Sequence, residues 1–370
     1  MKLSNGTIER IAVTKLNDIL NNSEFLEADI HFNDKTISWD GEIFLYKNTD
    51  KKSSDFYGKI SVQVKGKQVL SEDLTDTIKY PVKIIDIKNY QKEGGVIFFV
   101  VYIVSNKKYK IYYQKLLPYE LAMIIHQAKK QKTKNLSFIL FPQNKEKISR
   151  IFFNFCDDRK RQYSTTPDKI DLSNIDINSN ISIFSRINNV FEIFDDSIYI
   201  YKKITGEVYQ VITKAFPESI TFHDIDVKVI IDGKIYAKNV SFEADKEKHE
   251  KFIIYNCVTF EKIGDTKIKI DLPFAGTLSE YICGLEFLKA LKKGKNIQIG
   301  NFIEGQNIDL DDDIDAIDSN IRFWKNIKVL LRTLHVNKEL HMDQISENSI
   351  NTLALLYQYI VEKRSWLIVK

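Results

Sequence analysis

Apolar residues first recur at helical spacing at Ile8, Ile11, Ala12, Leu16, Ile19 and Leu20, which predicts a helix over Thr7–Leu20 capped by Asn5 or Thr7. The pattern then shortens to period two. Strands are predicted at Ala28–Phe32, Thr36–Tyr46 and Lys59–Lys65, the last two separated by a polar loop, Lys47–Tyr57. Val82–Ile87, Val96–Val104 and Tyr109–Tyr113 continue the strand pattern. A helix follows Pro118, with Leu121, Ile124, Ile125 and Ala128 on one side, and Ser137–Phe141 is a further strand. This order predicts a mixed sheet covered by helices over residues 1–150.

The polar stretch Asp157–Asn180, with Pro167 and many Asp, Asn and Ser, reads as a linker, assigned to residues 151–180. Residues 181–370 begin β-rich, with strands predicted at Ile181–Phe194, Ser197–Ile204, Val208–Thr213, Val227–Ile231, Lys234–Ala237 and Phe252–Phe260. Asp232-Gly233 reads as a hairpin turn, because both residues tolerate positive φ. Thr277 with Glu280 forms a capping-box pattern before a helix that Gly294 ends, and further helices are predicted over Ile321–Leu334 and Ser349–Lys363. The predicted fold class is therefore α+β: a mixed α/β sheet domain, then a β-rich and finally helical C-terminal domain.

Composition narrows the classes. Of 370 residues, 44% are hydrophobic and 12% aromatic, enough for a core and against wholesale disorder. The longest strongly apolar run, Val96–Val104, is nine residues, half of what a membrane-spanning helix needs. No apolar leader opens the chain, and the three cysteines, Cys156, Cys257 and Cys283, are odd in number and far apart. The expectation is a soluble cytoplasmic protein without membrane attachment or a disulfide framework.

The net charge of +4 conceals an asymmetry: residues 1–150 hold 25 basic and 17 acidic residues, a balance of +8, and the remainder is at −4. Residues 101–150 alone carry 11 basic and 2 acidic residues, among them Lys107, Lys108, Lys110, Lys115, Lys129, Lys130, Lys132 and Lys134. Such an excess attracts polyphosphate, although a lysine-rich solvated surface gives the same count. Lys67, Lys129, Lys130, Lys132 and Lys134 are the residues assigned to nucleic-acid contact.

One constellation carries chemistry. Trp39-Asp40-Gly41-Glu42 leads one strand, and 23 residues after Asp40 comes Gln63 in the next. Period two places Ser61, Gln63 and Lys65 on one face and Ile60, Val62 and Val64 on the other. Oxygen ligands beside an ammonium are what metal-assisted phosphodiester hydrolysis asks for. The spacing alone means little, since an acid or Gln two residues before Lys also occurs at Asp86–Lys88, Gln127–Lys129, Gln143–Lys145 and Asp158–Lys160.

In element order and in Asp40, Gln63 and Lys65, residues 1–145 resemble the PD-(D/E)XK, restriction-endonuclease-like superfamily. The flavour is that of Mrr-like nucleases and effector nucleases of bacterial anti-phage systems, whose third motif ends Gln-x-Lys. The segment from Tyr80-Pro81-Val82 to Leu117-Pro118 resembles the strand pair and helix that follow the motif there. The resemblance implies a restriction-endonuclease-like fold and a Mg²⁺- or Mn²⁺-dependent endonuclease. Asp40 would be the main metal ligand, Gln63 would give a carbonyl oxygen, and Lys65 would orient the attacking water. A Glu from the first helix often joins such a site. Glu9 is the choice, since 9, 13, 16 and 20 form one stripe; Glu24 and Glu27 are weaker options, and Glu42 shares a strand face with Asp40. Two departures are Trp39 in place of Pro and Gln63 in place of a carboxylate.

The expected function is a metal-dependent nuclease effector acting on DNA, or on RNA, in anti-phage defence. By the same resemblance a partner, an ATPase or an Argonaute-like protein, would activate it; the chain has no phosphate-binding Gly-x4-Gly-Lys loop of its own, so any energy-driven work would fall to a partner. The alternatives are a catalytically inactive nucleic-acid-binding or assembly subunit, and a structural protein with a basic surface. The acidic run from Asp309 to Asp318 does not suit a calcium loop, which needs Gly where Ile314 stands. Tyr199, Tyr201, Lys202 and Lys203 suit either base stacking or a packed sheet.

Overall fold

The computed structural model describes residues 3–32, 38–71, 74–162, 181–206, 208–263, 267–294, 296–300, 303–306 and 313–363. The chain divides into two compact units, Met1–Phe216 and Pro217–Lys370. Both are mixed α and β.

The first unit opens with α1 (Asn5–Asn21), whose cap is Ser4, accepting from the Thr7 N–H at 3.2 Å. A meander follows: β1 (Leu26–Ile30), β2 (Gly41–Tyr46) and β3 (Phe56–Gln68), all antiparallel. The chain continues through β4 (Thr77–Lys83) and α2 (Ile84–Lys92) into β5 (Val96–Ser105), which lies parallel to β3. Then come β6 (Lys108–Leu116), α3 (Pro118–Ala128), β7 (Thr133–Leu140) and α4 (Lys145–Arg161). The seven strands order as β1-β2-β3-β5-β6-β7-β4.

β5 explains why its sequence is apolar without a break. Ile97, Phe99 and Val101 enter a core with Val13, Leu16 and Leu20 of α1 and Phe152 and Phe155 of α4. Val96, Phe98 and Val100 enter a second core with Ile84, Ile87 and Tyr90 of α2 and Leu121 of α3. A strand covered by helices on both faces needs no polar side.

Several sequence expectations are corrected here. Val82–Ile87 is not one strand: the chain turns helical at Ile84, burying Ile84 and Ile87 and exposing Ile85. Residues 151–161 are not linker but the body of α4, with Ile148, Ile151, Phe152 and Phe155 buried at helical spacing. The first unit also runs on to Phe216, well past residue 150. A second sheet, β8 (Ile181–Ile183), β9 (Ile198–Thr205) and β10 (Val208–Ala215), sends Tyr199, Tyr201 and Val211 into the α1-side core. Only Ile181–Ile183 of the predicted strand to Phe194 is extended, Val190–Asp195 being 3-10 helix. Most of the proposed linker, residues 163–180, lies outside the described residues.

Buried polar groups bind this second sheet to α3 and α4. Tyr199 donates to Glu120 of α3, which also pairs with Lys214 at 2.8 Å, and Tyr201 donates to Asp158 of α4 at 2.7 Å. Tyr199 and Tyr201 are therefore packing residues and present no face to a base. Lys115 likewise is buried against Asp196, so it leaves the set of surface lysines.

The second unit is built on a sheet of β11 (Ser219–Ile231), β12 (Lys234–Asp245), β13 (Glu250–Ile254), β14 (Val258–Ile263) and β15 (Lys267–Asp271). After α5 (Leu278–Lys293), β16 (Asn296–Ile299) and β17 (Ile303–Gln306) extend it beyond β11. Asp232 and Gly233 turn the first hairpin at φ 46° and 80°, as the sequence predicts. The capping box of Thr277 and Glu280 is formed at the start of α5. The expected Phe252–Phe260 strand is instead a hairpin turning at Tyr255 and Asn256. α6 (Ile314–Thr333) and α7 (Glu347–Ile360) complete the unit, with Ile317, Ile321 and Trp324 packed on Leu278, Ile282 and Leu285. Asp313 caps α6, a helix-starting role for that end of the acidic run; Asp309, Asp311 and Asp312 lie outside the described residues. Among the described residues no helix is long and apolar enough to cross a membrane.

Candidate functional site

Asp40 stands immediately before β2 and is fixed through its backbone. Its N–H donates to Val62 C=O at 2.9 Å, and its C=O accepts from His31 N–H at 3.0 Å. Gly41 makes this possible, because at its φ of +153° a Cβ would collide with Asp29 O and lie 2.6 Å from Ile30 Cα. The side chain then does the work of a strand. The N–H of Val64, beyond the last β2 partner, donates to Asp40 Oδ2 at 2.7 Å.

Gln63 meets the same oxygen. Its Nε2 donates to Asp40 Oδ2 and lies 3.4 Å from Val64 O, while Tyr90 of α2 donates its hydroxyl proton to Oε1 at 3.3 Å. Gln63 is 4% exposed and Tyr90 1%, so the amide sits among fixed partners. Burial above all, then the negative charges of Asp86 and Asp40, push the Tyr90 hydroxyl far above its ordinary value, which keeps it a donor. Ser38, at φ 77°, donates to Asp86 Oδ1 at 3.4 Å and accepts from Asn89 Nδ2 at 2.7 Å, tying the segment before Asp40 to α2.

The structure thus joins Asp40 to Gln63. Lys65 follows two residues along the same strand face, exposed and in no ion pair among the described residues. Lys67 comes next on that face, its ammonium 5.3 Å from the Tyr102 ring centre. The remaining acids stand elsewhere. Glu9 is partly exposed on α1, next to the point where Ile8 and Ala12 cross Gly66 on the opposite face of the sheet from Gln63 and Tyr90. Glu42 pairs with Lys59 at 2.6 Å rather than assisting Asp40. Glu27 accepts from Tyr46 at 2.9 Å, and it and exposed Glu24 lie toward the far end of β1 from Gly41.

Asp86, Asn89 and Tyr90 are the residues that sequence reasoning passes over. Reading 82–87 as strand hid their common helical side; the i, i+3, i+4 spacing on a helix was the available signal. In kind, Asp40 brings the carboxylate a hard divalent cation prefers, but Gln63 turns its N–H to Asp40 and its oxygen to Tyr90, so its amide oxygen would have to turn to join a cation there. In number it is lean: among the described residues no group of three or more His, Cys, Asp or Glu is placed to hold a metal. A cavity of about 330 Å³ elsewhere, lined by Asn154, Asp157, Asp158, Arg161, Phe184 and Arg186, includes none of the site residues. Its charges are satisfied internally, Arg186 with Asp157 at 2.8 Å and Arg161 with Asp158 at 3.6 Å.

Of the assigned lysines, Lys129, Lys130 and Lys132 are exposed at the turn between α3 and β7, and Lys134 is partly exposed within β7. None of the four is in an ion pair among the described residues. By contrast Lys110 pairs with Asp76 at 3.2 Å. Comparison with protein-family models, curated proteins and solved structures finds no match to this chain.

Proposed function

We propose that the first unit is a Mg²⁺-dependent nuclease that hydrolyses phosphodiester bonds of DNA, or of RNA, as an effector of anti-phage defence. The observation that carries the reading is the hydrogen-bonded pair of Asp40 and Gln63 with Lys65 two residues on, on a strand whose crossover through α2 returns parallel to it. Asp40 and Gln63 would hold the cation, with water and substrate phosphate completing its ligands. Bound there, the cation supplies charge neutralisation at the phosphate and a more acidic water. The Lys65 ammonium stabilises the negative charge that grows on the phosphoryl oxygens, and the unpaired lysines hold the rest of the backbone. An activating partner, ATPase or Argonaute-like, is part of the same proposal, resting on the resemblance of residues 1–145 to effector nucleases.

A second reading, a nucleic-acid-binding subunit without chemistry, is favoured by one observation: Gln63 turns its N–H, not its oxygen, toward Asp40. The test is cleavage of plasmid and single-stranded DNA and RNA with Mg²⁺ or Mn²⁺ by wild type, Asp40→Ala and Lys65→Ala. The expected result is a loss of at least about 10²-fold in either variant, the scale of removing one transition-state charge. Equal cleavage by all three removes the site. Salt-sensitive binding without cleavage supports the second reading.

A further inference from the structure

We propose that the outer stripe of α2, Lys88 and Lys92, is a phosphate-binding bridge that carries a nucleic-acid strand from the lysine turn at Lys129–Lys132 to the Asp40–Gln63 pair. The inference deepens the nuclease reading and rests on it. α2 is held between those two places. Its Asp86, Asn89 and Tyr90 meet Ser38 and Gln63, as described above. At its first residue the Ile84 N–H donates to Lys132 C=O at 2.9 Å, and α2 packs against α3, whose last turn ends at Lys129.

With Ile84, Ile87 and Tyr90 committed to the core, the helix turns Ile85, Lys88 and Lys92 outward at i, i+3 and i+7. Both lysines are exposed, and among the described residues neither pairs with a carboxylate. Glu120, the acid within α3, is buried and bonded to Tyr199 and Lys214, and Asp86 takes the Ser38 hydroxyl. Glu93, directly after Lys92, is an exposed acid at this end of α2. Unpaired ammonium groups on a rigid helix keep their full attraction for a polyanion, whereas paired ones must first give up a partner. Ile85, 61% exposed beside Lys88, adds an apolar contact of the kind an unstacked base accepts.

The test is the salt dependence of oligonucleotide binding, followed by fluorescence anisotropy on single strands and duplexes with the full chain. Each lost phosphate contact lowers the slope of log K against log salt by about 0.9 on duplex and about 0.7 on single strands. Lys88→Ala/Lys92→Ala is expected to lower it by about twice that value, and Lys129→Ala/Lys130→Ala/Lys132→Ala by about three times. Lys228→Ala/Lys238→Ala, which removes the same charge from exposed positions of the second unit, is expected to leave the slope unchanged. If the α2 pair leaves the slope intact while the Lys129–Lys132 set lowers it, the bridge is wrong and the nuclease reading stands. If wild-type binding does not weaken with salt at all, both fall.

Discussion

Gln63 occupies a position where a carboxylate would place two like charges on one buried hydrogen-bonded pair. The amide avoids that repulsion by donating to Asp40, and the cost is a weaker hold on any cation. Gln63→Glu is therefore expected to lower the melting temperature in EDTA, by an effect on the order of 1–3 kcal/mol, and to recover it when Mg²⁺ is added. Identical melting of this variant in EDTA and in Mg²⁺ would count against a cation at the pair. At this scale the sequence was legible where period two sorted side chains onto faces, which aligned Gln63 with Lys65. It was blind to Tyr90, whose contact with Gln63 is made across 27 residues of chain.

At the scale of elements, the second small sheet is joined to α3, α4 and β6 by buried polar groups rather than by apolar contact alone. Asp158 is the stressed member. Burial foremost raises its carboxyl from the usual 3.8 to about 6, against the Tyr201 hydrogen bond and the charges of Lys115 and Arg161, with Glu120 adding repulsion. A folded value above the unfolded one means that the folded chain holds the proton more tightly. The stabilisation is thus full below about pH 4 and is lost as pH rises through about 6, a change on the order of 3 kcal/mol. Asp158→Asn keeps an acceptor for Tyr201, so it is expected to be more stable than wild type at pH 8, with the gain fading toward pH 4. Urea denaturation at both pH values measures this, and an equal gain at both would show that the proton is not responsible. None of this was legible beforehand, because burial of Asp158 depends on strands more than 30 residues further along the chain.

For the whole molecule, the division falls after Phe216, not near residue 150. A fragment of residues 1–216 is expected to unfold in one cooperative transition. A fragment of residues 1–150 lacks Ile151, Phe152, Phe155, Tyr199 and Tyr201, all of them in the α1-side core. Losing buried aromatics costs about 3–5 kcal/mol each, close to the entire stability of a domain. That fragment is expected to show no cooperative melt by circular dichroism; a sharp transition in it would restore the boundary read from the sequence. The polar composition after residue 157 misled that reading, since a polar stretch can be an insertion within a unit as readily as a join between two.

The sequence by itself determined what depends on neighbours within a few residues: the helical stripes of α1 and α3, the caps of α5, the Asp232-Gly233 turn, the alternation of β3 and the unbroken apolar run of β5. It also determined the charge asymmetry, which is a property of composition. Tertiary structure decided what depends on distant partners: that β5 runs parallel to β3, that α2 begins at Ile84, that Lys115 is buried with Asp196, and that Asp40 and Gln63 share one hydrogen bond. Local propensity is set by side-chain sterics over one or two turns, while burial and pairing are set by whichever segment folds against the residue, and no short window of sequence contains that segment.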